Sequence, residues 1–370
     1  MPDKALIAMS GGVDSSVAAF LMLEQGYGCI GITFKLFSSG DIAGEGCRVS
    51  GGGVSAHAQK SCCSLEDVND ARAVAHRLGI PHYVLNFAGD FRREVIGRFI
   101  EIYEKGATPN PCIDCNRYVK FPGLLQKARQ LEFGAIATGH YARVEKSGSR
   151  YILRKSADTA KDQSYVLYAA TQEQLAAARF PLGNLVKSEV RKIAERQGFV
   201  NARKRESQDI CFVPDRDYAA FIERYTGRAA APGDIIDSAG NLLGRHRGLI
   251  RYTIGQRRGL GVAKNGRVYV AAKSVPDNTV TLGPEESLYA KSLTADNINL
   301  IACETLEKPA RVLVKTRYQE EEREARAWQT GKDSIRVEFD HRQRAVSPGQ
   351  AVVLYDGDIV VGGGTITAAE

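Results

Sequence analysis

The sequence predicts an α/β protein in three parts: a Rossmann-like parallel-sheet domain, a small mixed α/β central domain and a C-terminal antiparallel β-barrel. Three observations carry that prediction. Apolar strand segments and helical segments alternate up to about residue 205. Beyond that point the segments shorten and are separated by turn signals such as "SAGN", "AKNG" and "VPDN". From Leu288 onward, strand-like runs follow one another with no helix between them. A chain of 370 residues is too long for one ordinary core. The parts expected are 1–205, 206–285 and 286–370.

In order, "KALIAMS" is a short apolar strand, "SSVAAFLMLEQG" a helix closed by Gly26, and "YGCIGITFKLF" a second strand. The polar, Gly-rich stretch 38–60 reads as a long loop. "SLEDVNDARAVAHRLG" opens at Ser64 with Asp67 three residues on and ends at Gly79, a helix with its own start and stop signals. "PHYVLNF" is a strand, "GDFRREVIGRFIEIYEKG" and "PGLLQKARQLEFG" are helices, and "AIATGHYARV" is a strand. Strands joined through helices imply a parallel sheet covered on both faces. The central part has one helix, "RDYAAFIERYTG"; the last part has the strands "ARVLVKTRYQ", "EARAWQ", "SIRVEFD" and "QAVVLYDGDIVVGGGTI".

A hydrophobic content of 44% with 25% charged residues fits a folded chain and excludes a disordered one. The net charge of +7 permits a polyanionic partner. Between Asn241 and Pro276 stand Arg245, Arg247, Arg251, Arg257, Arg258, Lys264, Arg267 and Lys273, with no carboxylate. That tract suits phosphate contacts, or is a solvated basic face. The N-terminal apolar run is too short for a signal peptide, and no stretch reaches transmembrane length. A cytoplasmic monomer with no membrane association is expected. Stable disulfides are uncommon in that compartment, so eight cysteines point to catalysis, metal or packing. Adjacent Cys62 and Cys63 read as loop or packing residues, and Cys29 and Cys303 as buried thiols on strand faces.

"AMSGGVDSS" follows the first strand and opens the first helix, where backbone N–H groups and the positive helix end favour a phosphate. Gly11 and Gly12 admit close approach of the anion, and the hydroxyls of Ser10, Ser15 and Ser16 can donate to it. The loop has neither the Gly-Lys-Ser/Thr of a Walker loop nor the Gly-x-Gly-x-x-Gly of dinucleotide folds. It resembles the pyrophosphate-binding PP-loop of ATP pyrophosphatases, which implies cleavage of ATP between the α- and β-phosphates and adenylation of an acceptor. Asp14 suits either orienting the loop or meeting Mg²⁺. Phe34 ends the second strand on the ligand-binding edge, to pack on adenine or simply in the core. His140 suits a hydrogen bond to a base or a structural role. Lys161, Asp162 and Gln163 form a polar cluster that a helix cap would also explain.

Adenylation makes a carbonyl oxygen a good leaving group, and a nucleophile must follow. Cys112 and Cys115 in "TPNPCIDCN" and Cys211 in "ESQDICF" are the candidates, since a thiolate is a strong nucleophile and a persulfide carries sulfur.

"SGGVDSS", "TPNPCIDCN", "ATGHYAR", "KDQSYVL", "ESQDICF", "YTIGQRRGLG" and "PGQAVVLYDGDIVVGGG" occur in this order from Ser10 to Gly364. Together they resemble the tRNA-specific 2-thiouridylase family over nearly the whole chain. The resemblance implies ATP-dependent formation of 2-thiouridine at the wobble position of tRNA. Sulfur would come from a cysteine desulfurase through a persulfide relay. It implies a persulfide on Cys211 and a second active thiol at Cys115, able to form a disulfide with Cys211 as sulfur is released. ATP contacts would fall on Ala8, Met9, Ser10, Gly11, Gly12, Val13, Asp14, Ser15, Phe34 and Gly139. Contacts to the target base would fall on Asn110, Pro111 and Cys112. Other tRNA contacts would fall on His140, Lys161, Asp162, Gln163, Arg317, Tyr318 and Gln350. Many members have Asp where this chain has Cys112, so a carboxylate often proposed as general base is missing. Cys112, Cys115 and Cys211 then suit either three ligands of a [4Fe–4S] cluster or a metal-free dithiol mechanism. Two rival classes remain: a PP-loop ligase or amidotransferase acting on a small acceptor, and a non-catalytic RNA-binding protein.

Overall fold

Burial with a period of two along the first strand sets the layers of the N-terminal domain. The computed structural model describes residues 3–37, 65–205, 210–262 and 266–370. In strand β1 (Lys4–Ala8), Ala5 and Ile7 belong to one core, with Met9, Val17 and Ala18. Leu6 belongs to another, with Phe91, Phe99 and Phe121. The first core includes α1 (Val13–Glu24) and α2 (Leu65–Arg77). The second includes α3, residues 88–104, and α4, residues 111–130. β2 (Gly28–Lys35), β3 (His82–Asn86), β4 (Ala135–Ala137) and β7 (Ala178–Arg179) complete a sheet of order β3-β2-β1-β4-β7. All its pairings are parallel, as expected. The order reverses between β1 and β4, which opens a crevice beyond their C-terminal ends.

Both α3 and α4 contain a wider turn, at Arg92–Gly97 and Cys115–Lys120, wound with i→i+5 spacing. α4 starts at Pro111, eleven residues before the helix read from "PGLLQKARQLEFG". Pro111 at its first position suits a helix start, since its fixed φ fits and it needs no N–H partner.

"AIATGHYARV" is not one strand. β4 stops at Ala137, and the chain crosses to another sheet as β5 (Arg143–Ser147), paired with β6 (Arg150–Arg154). Three further helices follow: α5 (Ser164–Leu167), directly after the polar cluster that a helix cap would explain, and α6 (Gln172–Ala177) and α7 (Lys187–Arg196), which were not singled out in the sequence.

The central part contains α8 (Tyr218–Thr226) and β8 (Gly233–Asp237), β9 (Leu242–His246), β10 (Tyr269–Ser274) and β11 (Thr279–Gly283). Their order is β10-β11-β8-β9, with β8 and β11 parallel. The last part is a closed six-stranded antiparallel barrel. It is built from β12 (Tyr289–Leu300), β13 (Ala310–Lys315), β14 (Arg323–Gly331), β15 (Ser334–Arg344), β16 (Ala351–Asp356) and β17 (Ile359–Ala369), and β12–β17 pairing closes it. Leu293, Val314, Val337 and Leu354 fill it. β12 was not foreseen, because "YAKSLTADNINL" is interrupted by polar residues and a bulge. β6 joins the barrel sheet through β17, so the hairpin β5–β6 shares a sheet with the barrel.

Cys29 is a buried thiol of β2, as expected. Cys303 departs from expectation: it is half-buried and lies past the end of β12. The 38–60 loop, Cys62, Cys63, Ser64 and Lys264 lie outside the described residues. No described helix is long and apolar enough to cross a membrane.

Candidate active site

The phosphate loop occupies the crevice between β1 and β4. Met9 N–H donates to Ile32 O at 2.8 Å, and Met9 O accepts from Thr33 Oγ1 at 2.6 Å, so the strand's exit is fixed from the side. Ser15 Oγ accepts from Ser10 N at 3.1 Å and donates to Gly12 O at 3.0 Å. Gly11 turns the chain at φ +76°, a conformation open to glycine at little cost. α1 then starts at Val13 with Gly12 as its cap and no side chain covering its first N–H groups. An uncapped helix start at a sheet's C-terminal edge suits an anion. Ser16 contributes nothing directly to it. Its hydroxyl is fully buried, donates to Gly12 O and accepts from Asn201 Nδ2 at 2.9 Å. Asn201 also donates to Gly11 O at 2.9 Å, which makes it a brace for the loop.

The segment after β4 lies directly on the loop. A Cβ on Gly139 would stand 2.7 Å from Asp14 C and Ser15 N, closer than real Cβ contacts come. Asp14 bonds both of its oxygens to Lys187 Nζ at 2.8 Å and accepts from Tyr141 Oη at 2.7 Å. Lys187 was not singled out in the sequence; only the fold brings it to a loop 173 residues earlier. Gln163 bonds the backbone of Tyr141 twice, through its own N–H at 2.8 Å and its Oε1 at 2.9 Å. Asp162 accepts from Ser156 N at 2.9 Å and Ser164 Oγ at 2.6 Å. Burial raises its pKa against those bonds. Lys161, half-buried, precedes them. His140 lies between the rings of Phe121 and Phe180, with Nδ1 2.8 Å from Thr138 Oγ1. Burial, aided by the Lys120 charge, lowers its pKa to about 3. The imidazole is therefore neutral near pH 7.

Phe34, 8% exposed, meets Phe87 edge-on at 4.7 Å within the core. On α4, Asn110 is the N-cap residue, Pro111 is buried, Cys112 is exposed and Cys115 is 6% exposed. Asp114 sits between the thiols, 3.7 Å from Arg98; burial raises its pKa to about 6 while Arg98 opposes the rise. Cys115 belongs to the same apolar cluster as Phe99 and Phe212, and Cys211 packs against that cluster. Phe212 anchors the Cys211 segment through rings of Phe91, Phe99 and Phe221 at 5.2–5.7 Å. Among the described residues no three His, Cys, Asp or Glu side chains converge as a metal group. Nor does Asp14 suit a protein-held Mg²⁺, because both oxygens face an ammonium group.

The barrel fixes the approach to α4. Thr108 N donates to Pro348 O at 2.8 Å, and Gln350 Nε2 donates to Thr108 O at 3.0 Å and Pro109 O at 3.1 Å. Arg317 donates to Ala345 O at 2.6 Å and Ser347 Oγ at 3.2 Å, below the same loop. Tyr318 is 37% exposed, with its ring 6.0 Å from that of Tyr165.

The basic tract is less uniform than its sequence. Arg251 pairs with Glu223 at 2.6 Å and Arg245 with Asp234 at 3.5 Å. Burial lowers the pKa of Lys273 to about 8, and its Nζ donates to Tyr252 O. Arg247, Arg257, Arg258 and Arg267 remain exposed. Arg257 and Arg267 border a surface depression of about 460 Å³ away from the crevice.

Three domain models match the chain in succession: the tRNA methyl transferase HUP domain over residues 3–215, the tRNA methyl transferase PRC-barrel domain over 219–284 and the aminomethyltransferase beta-barrel domain over 290–366. The tRNA-specific 2-thiouridylase MnmA of Symbiobacterium thermophilum is 50% identical over 369 residues, 99% of this chain and 92% of its own. Its namesake in Acetivibrio thermocellus is 49% identical over 365 residues, 98% and 99% of the two chains. That of Clostridioides difficile is 46% identical over 368 residues, 99% and 98%. Matched at this level from end to end, the chain belongs to the tRNA-specific 2-thiouridylase family.

Proposed function

We propose that this protein is an ATP-dependent tRNA sulfurtransferase that makes 2-thiouridine at the wobble position. The observation that carries the reading is the uncapped start of α1 at the β1/β4 crevice, in a chain whose relatives are 2-thiouridylases. The nucleotide enters as MgATP, its metal held by its own phosphates, and the first N–H groups of α1 receive the phosphate charge. At Phe34 the contact would come from backbone at the end of β2, since the ring is engaged in the core. The O2 atom of uridine attacks the α-phosphate and pyrophosphate leaves. A persulfide on Cys211, charged by a desulfurase relay, attacks C2 with its outer sulfur and AMP leaves. The Cys115 thiolate then attacks Cys211 Sγ. The C2 atom keeps one sulfur, and the two cysteines end as a disulfide that an external dithiol must reduce.

Asn110, with Pro111 and Cys112 beside it, is assigned to the flipped base, which must leave its stack to be reached. His140, neutral at working pH, reads hydrogen-bonding groups without adding charge. Lys161, Asp162, Gln163, Arg317, Tyr318 and Gln350 are assigned to the surrounding tRNA surface. In the structure several of them also brace that surface. The dithiol route is preferred to a cluster because it needs only the two thiols, and no three Cys, His, Asp or Glu side chains converge among the described residues.

The test is a tRNA thiolation assay with AMP release measured in parallel. Wild-type protein supplied with a persulfide donor should form 2-thiouridine with tRNA-dependent AMP release. Cys211→Ser and Cys115→Ser should each abolish thiolation, by about a thousandfold or more, while both retain tRNA binding. AMP release on a small acceptor without tRNA would favour a ligase, and thiolation surviving both substitutions would overturn the assignment of the thiols.

A further inference from the structure

An acidic residue in the first turn of a phosphate-binding helix repels the anion that the helix start attracts. Asp14 is such a residue, and its charge is answered by Lys187 Nζ, 2.8 Å from both carboxylate oxygens. The side chain of Lys187 is 12% exposed and that of Asp14 29%. A largely desolvated pair of this kind adds little net stability, because desolvation cancels most of the Coulomb gain. Its placement is nevertheless tightly specified. Asp158 Oδ2 accepts from Lys187 N at 2.8 Å, fixing the start of α7. Tyr141 Oη donates to Asp14, and the Lys187 ammonium lies 5.7 Å from the centre of the Tyr141 ring. Gly139, pressed onto Asp14 and Ser15, places the pair at the crevice.

We propose that Lys187 is a further catalytic residue of the adenylation step: its ammonium group contacts the ATP phosphates and neutralises the leaving pyrophosphate, with Asp14 and Tyr141 as its positioning residues. This rests on the sulfurtransferase reading and deepens it. In the ligand-free arrangement Asp14 holds the ammonium at the loop. When the triphosphate arrives, the cation is shared between carboxylate and phosphate, and the charge developing on the bridging oxygen meets a counter-charge already in place. No atom is transferred to or from Lys187.

The two members of the pair should then have opposite effects on nucleotide affinity, an asymmetry a merely structural pair lacks. Binding of the non-cleavable α,β-methylene-ATP measures it. Lys187→Ala should weaken binding by about tenfold, the size of one lost charge-assisted contact. It should also slow tRNA-dependent AMP release by about a hundredfold. Lys187→Arg should recover part of both. Asp14→Asn keeps an amide oxygen that accepts from the ammonium but removes the carboxylate charge, so it should tighten binding of the analogue. Lys187→Gln keeps the side-chain bulk and serves if Lys187→Ala does not fold. Equal weakening by Asp14→Asn and Lys187→Gln, or unchanged AMP release in Lys187→Gln, would overturn the proposal. Failure of the wild-type protein to release AMP with tRNA would instead overturn the sulfurtransferase reading.

Discussion

The phosphate loop and the thiol helix are held in different ways. The loop's own turn is closed by neighbours in sequence, Ser10 to Ser15 and Ser15 and Ser16 to Gly12, with Asn201 and Lys187 reaching it from far along the chain. The entry to α4 is held from the other end of the molecule, by Gln350 and Pro348 of the barrel. A locally closed loop can be recognised as a string of residues. An approach segment fixed across some 240 residues cannot, because its partners are set by topology alone.

Altering each support in turn sharpens that contrast. The largest effect is expected at Gly139, where the second loop rests on the first. Gly139→Ala would put a methyl group against Asp14 and Ser15 backbone, and overpacking of this kind costs about 1–3 kcal/mol. ATP binding should weaken by about tenfold or more, read by calorimetry, with tRNA binding unchanged. A smaller effect is expected at Gln350. Gln350→Ala removes two bonds to Thr108 O and Pro109 O, at about 1 kcal/mol each. Thiolation should fall several-fold while ATP affinity stays at the wild-type value. If ATP affinity fell equally, the two supports would not be separable.

The remaining effect is on pH dependence. Burial lowers the pKa of His140 from its ordinary value near 6.5 to about 3. The unfolded chain therefore binds this proton more readily than the folded one between those values. His140 favours the fold fully above about pH 6.5, and its contribution is lost progressively as pH falls toward about 3. Urea midpoints measured across that window should fall with acidification, and His140→Gln should flatten the slope. An unchanged slope would place the imidazole in water in both states.

What the sequence disclosed follows the same division. The strand, glycine loop and helix at 4–24 were legible because their periodicities and turn residues are local. The barrel was legible from alternation in its strands, although β12, bulged and polar, was not. Gly139 lies against the phosphate loop even though the strand read through it breaks after Ala137 and the chain changes sheets. No short-range pattern separates that break from a continuous strand, because the residues on both sides have β propensity. Lys187 and Asn201 were not found because their partners lie 173 and 190 residues away. Two members of the basic tract, Arg245 and Arg251, have carboxylate partners, Asp234 and Glu223, that precede it in sequence.

The hairpin β5–β6 has a consequence for synthesis. Its partner strand β17 includes the site of Asp358's neighbour Ile359, and Arg154 pairs with Asp358 across 204 residues. On the ribosome the hairpin therefore emerges well before the strand that receives it. At ordinary elongation rates it waits about 10–40 s with one edge open. Arg150, Arg154, Glu145 and Lys146 stud that hairpin with charge, a composition that discourages pairing with another nascent chain. The hairpin thus waits for a strand made some 204 residues after it.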